Sequence, residues 1–120
     1  MPPKPLKPSF VKAPPDLVEQ FNSTLASIPE TSVRKVFGYP AGFVNGNMAT
    51  GLYRATWFVR LPDDAVAELC GAGGYPFEPM AGRPMRSHIV MPPSIMRDPA
   101  AVRRWVERAI VHTGSLPPKR

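Results

Sequence analysis

The chain has 120 residues, of which 43% are apolar and 9% aromatic, with 17 prolines and a formal net charge of +6. That length suits one domain able to bury about 60–70% of its unfolded surface, and the apolar share excludes disorder of the whole chain. One cysteine excludes an internal disulfide, two histidines beside it give no zinc spacing, and no apolar run is long enough for a membrane span or a secretory signal.

In chain order, residues 1–15 hold six prolines with Lys4, Lys7 and Lys12 between them, which predicts a flexible, polyproline-like arm. Asp16 then stands at the positive end of a helix expected over 16–28, whose apolar stripe is Leu17, Val18, Phe21, Leu25 and Ile28, and Pro29 stops it. Short β runs at 32–37 and 41–44 flank a bend at Gly38, Tyr39 and Pro40. Asn45-Gly46 predicts a type I′ hairpin turn, because both central positions of that turn need positive φ.

The hairpin leads into strands at 48–53 and 56–61, joined at Arg54-Ala55, where such turns more often carry Asn, Asp or Gly. In the second of them Trp57, Val59 and Leu61 alternate toward the core, and Phe58 and Arg60 point away from it. Pro62, Asp63 and Asp64 open a middle helix that carries Val66, Leu69 and Cys70 on one face and closes at Gly71. Cys70 reads as a small core hydrophobe rather than a reactive thiol. The glycines at 71, 73 and 74 follow a helix instead of a strand, which excludes a phosphate loop.

Residues 77–86 combine two prolines, Gly82, Glu78, Arg83, Arg86, Phe77, Met80 and Met85, and predict a shaped, semi-rigid arch suited to recognition. Glu78 is expected to hold the arch closed through Arg83 or Arg86. A strand at 87–91 ends at Pro92-Pro93. The last helix has Asp98 as N-cap, Pro99 at its first position and Gly114 past its end, and its stripe is Val102, Trp105, Val106, Ala109 and Ile110. The fold class is therefore α+β, a small antiparallel sheet with an N-terminal helix, a middle helix after the hairpin strands and a C-terminal helix. The domain covers 16–118, with the arm before it and a basic tail at 119–120.

Val36-Phe37-Gly38-Tyr39-Pro40, the Asn45-Gly46-Asn47-Met48 hairpin, the Val59-Arg60-Leu61-Pro62 strand exit and the run from Gly82-Arg83-Pro84-Met85 to Pro92-Pro93 together resemble the N-terminal domain family of TfoX (Sxy), bacterial regulators of natural competence. The resemblance covers roughly 17–118. It implies a compact α+β domain, a single-domain member lacking the helical C-terminal domain of the full-length regulators, and no catalytic residues to carry over.

Three functions follow as expectations. The first is a small cytoplasmic regulatory or protein-interaction module, a monomer or homodimer without catalytic activity or cofactor, that holds an unidentified protein partner through Phe37, Tyr39, Phe77, Met80, Arg83 and Met85. The second is a nucleic-acid accessory protein using Arg97, Arg103, Arg104, Arg108 and the lysine arm, since a basic surface attracts anions. The third is an enzyme or small-molecule binder built on Glu78 and His88.

Overall fold

The computed structural model describes residues 12–80 and 82–118, with Met80 described by its backbone alone. The N-terminal arm up to residue 11 and the tail at 119–120 lie outside these residues. Among the described residues no helix is long and apolar enough to cross a membrane.

The elements are α1 (Pro15–Ala26), β1 (Ser32–Val36), β2 (Tyr39–Val44), β3 (Asn47–Tyr53), β4 (Thr56–Arg60), α2 (Asp63–Gly71), β5 (Tyr75–Met80), β6 (Arg83–Val90), α3 (Pro93–Met96) and α4 (Pro99–Gly114). The six strands form one antiparallel sheet in the order β1-β2-β3-β4-β6-β5. The α+β class and its three main helices match the sequence reading. The helix starts follow their sequence cues: Pro15 takes the first turn of α1, Asp63 and Asp64 the first turn of α2, and Asp98 Oδ1 accepts from the backbone N–H groups of Ala100 and Ala101.

Two places differ. The arch at 77–86 is a β-hairpin, because β5 is an edge strand and its Pro76 and Pro79 leave no inner ladder without a donor. The bend at 38–40 is a tighter turn, with Phe37 and Gly38 at its centre at φ 52° and 85° and with Tyr39 and Pro40 already inside β2. Pro40 pairs only toward Lys35 of β1, and the ladder with β3 begins one residue later, at Ala41.

The helices all pack on one face of the sheet. There Phe21 and Leu25 of α1, Leu69 of α2 and Val102 and Val106 of α4 meet Trp57, Val59 and Ile89 of the strands. Cys70 packs half-buried against this core. The opposite face carries a second apolar cluster made only of strand residues, with Phe58, Phe77 and Val90 at its centre and Met48, Tyr53 and Met85 around them. The sheet edges are unlike. β5 ends one side with two prolines and two breaks in its register, and β1 ends the other with five residues of which four are exposed.

Candidate functional site

The helix-free face of the sheet holds a groove of about 460 Å³ whose walls include Val36, Phe37, Tyr39, Met48, Phe77 and Met85. β1 and β5 lie five strand spacings apart, about 24 Å in a flat sheet. A single groove touching both sides therefore requires the sheet to curl and the β5–β6 arm to lean over it. The register supplies the cause: Pro76 pairs with Ile89 but Phe77 pairs with Met85, so Arg86, Ser87 and His88 have no counterpart on β5. Such a bulge bends and twists the hairpin. β6 keeps its ladder with β4 through Arg60 opposite His88, so only the distal arm is redirected.

Aromatic rings form the groove floor. Phe58 and Phe77 stack with centroids 4.2 Å apart, Tyr53 meets Phe77 edge-on at 5.4 Å, and Tyr39 lies 5.4 Å from Tyr53. Offset and edge-to-face pairs of this kind are each worth about 0.5–1.5 kcal/mol beyond burial, which makes the floor rigid. Gly51 is needed beneath it, since a Cβ there would stand 2.7 Å from Phe58 Cζ. Two guanidiniums cover rings on the same side, Arg34 at 4.0 Å from the Phe43 centroid and Arg54 at 5.5 Å from that of Tyr53.

Phe37 departs from these buried rings. It is 92% exposed at the rim of the groove, in the left-handed region that costs a side-chain-bearing residue about 1–2 kcal/mol. A large apolar side chain held in strain and in water is a feature that folding alone would not favour. Phe37→Asn, which keeps the positive φ with a residue suited to it, is expected to raise the unfolding free energy by about 1 kcal/mol. A urea midpoint reads this, and an unchanged or lower value would show that the ring packs usefully on the rim.

Of the residues singled out in the sequence for a protein partner, Phe37, Tyr39, Phe77 and Met85 converge on this groove, and Arg83 is exposed on the arm beside it. The side chain of Met80 lies outside the described residues. Val36, Met48 and Tyr53 were missed as walls. The signal for Tyr53 was the two-residue turn at 54–55: Arg54 takes φ 54°, Tyr53 then pairs with Thr56, and it shares the face of Phe58. No comparable signal places Met48, because the register break between Gly42 and Phe43 decides its face.

The other two groupings fare differently. Glu78 is exposed and forms no ion pair with Arg83 or Arg86, so the hairpin ladder and its bulges shape the arm instead of the expected carboxylate clasp. Glu78 lines a more open cleft of about 550 Å³ with Tyr53, Arg54 and Tyr75, and His88 is not among its walls. His88 is buried against Phe58, its Nδ1 is 3.3 Å from the Ser87 hydroxyl, and burial first and the Arg60 charge second push its pKa down from 6.5 to about 4. Glu78 and His88 therefore do not form an acid and base pair. Among the described residues no three His, Cys, Asp or Glu side chains gather where they could hold a metal.

On α4, Arg103 pairs with Glu107 at 3.5 Å and bonds the Ser27 hydroxyl. Arg108 makes a two-pronged contact to Glu68 of α2, at 2.8 and 3.2 Å, and lies 4.5 Å over the Trp105 ring. The anion that meets the Arg108 charge is thus a carboxylate of this same chain. Arg97 and Arg104 are exposed on that side.

The sequence model of the TfoX N-terminal domain matches residues 23–113, from within α1 to the end of α4. No curated protein matches the chain.

Proposed function

The chain belongs to the TfoX N-terminal domain family, and on that premise we propose that it is a small cytoplasmic interaction module of a regulatory kind, without catalytic activity, that holds a protein partner in the groove on the helix-free face of its sheet. The observation that carries this reading is the pairing of a rigid apolar groove with the strained, exposed Phe37 at its rim. Interfaces of this kind draw most of their affinity from a few large apolar or aromatic side chains meeting a well-packed pocket. The groove offers little else to a ligand: its walls are apolar apart from the two tyrosine hydroxyls, so it suits apolar side chains and ill suits groups that need hydrogen bonds.

Nucleic-acid binding through α4 has less support, because Arg103 and Arg108 already have carboxylate partners. An enzyme built on Glu78 and His88 has less still, since the two do not meet and His88 is held buried and neutral.

Photo-crosslinking residues placed at Phe37, at Met85 and, on the helix side, at Arg104 test the reading in cells. Discrete protein adducts are expected from Phe37 and Met85 and not from Arg104. Adducts from Arg104 alone, or adducts to nucleic acid from any of the three, would overturn it.

A further inference from the structure

Carboxylates are concentrated on the helix side of the molecule, where Arg97, Arg103, Arg104 and Arg108 also stand. Of the nine carboxylates, seven lie on helices or at a helix cap: Asp16, Glu19, Asp63, Asp64, Glu68, Asp98 and Glu107. The strands and hairpin turns carry Arg34, Lys35, Arg54, Arg60, Arg83 and Arg86 against one acid, Glu78. Both ion pairs among the described residues belong to the helix side. The arginines around the groove have no carboxylate partner there.

Their geometry is suited to one. Arg34 and Arg54 each hold a guanidinium carbon near an aromatic ring, 4.0 and 5.5 Å from the centroid, and neither pairs with a carboxylate among the described residues, although a guanidinium can stack on a ring and still bind a carboxylate. Arg83 and Arg86 flank Met85 on the exposed arm. Arg60 shares the groove face with Phe58 by strand alternation, and its Nε is buried without a hydrogen-bond partner among the described residues. A buried donor left unpaired costs about 1–3 kcal/mol.

We infer that the groove takes an acidic segment of a partner protein, one that sets large apolar side chains on the aromatic floor and carboxylates on the arginine rim. This rests on the reading of the groove as a protein-binding site and adds the chemistry of what fills it. A second copy of the chain suits the rim less, because its own rim would bring like charges face to face. Nucleic acid matches the charge but not the floor, where the rings are buried against one another and a base would bring hydrogen-bonding groups into an apolar groove.

Panning short random peptides on the full chain tests the inference. The enriched peptides should be net acidic and rich in Leu, Phe or Trp. Arg83→Glu with Arg86→Glu should weaken such a peptide about tenfold, and high salt should shrink that gap. Arg97→Glu with Arg104→Glu, an equal change of net charge on the helix side, should leave its affinity unchanged. Phe37→Asn, which the turn accepts, should weaken it as well.

Enriched peptides that are neutral or basic, yet still blocked by Phe37→Asn, would overturn the acidic partner and keep the groove as a protein-binding site. Peptides indifferent to Phe37→Asn, or no enrichment at all, would overturn both. So would a single-stranded oligonucleotide that binds with the same dependence on Arg83 and Arg86 and displaces the peptides.

Discussion

Trp57→Ala is expected to lower the unfolding free energy by about 3–5 kcal/mol, a large part of what a domain of this size has. The side chain is fully buried and packs on Phe21 of α1 at 5.1 Å between ring centroids. Its indole also does what packing cannot: Nε1 donates to Thr50 Oγ1 at 2.8 Å, and the Thr50 hydroxyl donates in turn to the Phe58 carbonyl at 2.7 Å. One residue thus joins a helix, strand β3 and strand β4, directly behind the ring that floors the groove. Urea unfolding measures the loss. Trp57→Phe should cost less and leave Thr50 bonded to Phe58, and a cycle with Thr50→Val should show the two sites coupled. A loss below about 1.5 kcal/mol for the alanine variant would mean that α1 docks without its aromatic contact.

Acidification gives the second large effect. The folded pKa of His88 lies at about 4 against 6.5 for a free imidazole. Below pH 6.5 the unfolded chain binds a proton that the folded chain refuses until near pH 4, so stability falls as the pH drops through that window. With about 1.4 kcal/mol per pKa unit, the loss reaches about 3 kcal/mol. His88→Gln should flatten the slope between pH 6.5 and 4. If wild type and variant run parallel, the ring is more hydrated than its 7% exposure indicates.

Periodicity and caps made the helices legible: the stripes of α1 and α4 and the Asp98 cap needed no tertiary information. Asn45-Gly46 was legible for the same local reason, both residues taking positive φ. Phe37 was not, because nothing in a phenylalanine favours the left-handed region, and only the strands on either side force it there. β5 stayed hidden because proline argues against a strand in general, and only its place at the sheet edge makes Pro76 and Pro79 tolerable. Composition picked out residues 77–86 and the 37–40 bend as recognition elements, but their convergence depends on three unpaired residues in β6 and on the curl of the sheet. The Glu68 to Arg108 contact spans 40 residues and was invisible for that reason, which left the α4 arginines looking freer than they are.

The unlike edges of the sheet set a limit on assembly. Continuous growth of a sheet from molecule to molecule needs two receptive edges on each. The prolines and register breaks of β5 close one of them, so among the described strands β1 is the edge left open to an added strand. If two copies met along β1, each would present its closed side outward and the joined sheet would stop at two. The exposed edge of β1 cannot by itself carry a sheet from one copy to the next while β5 closes the far side.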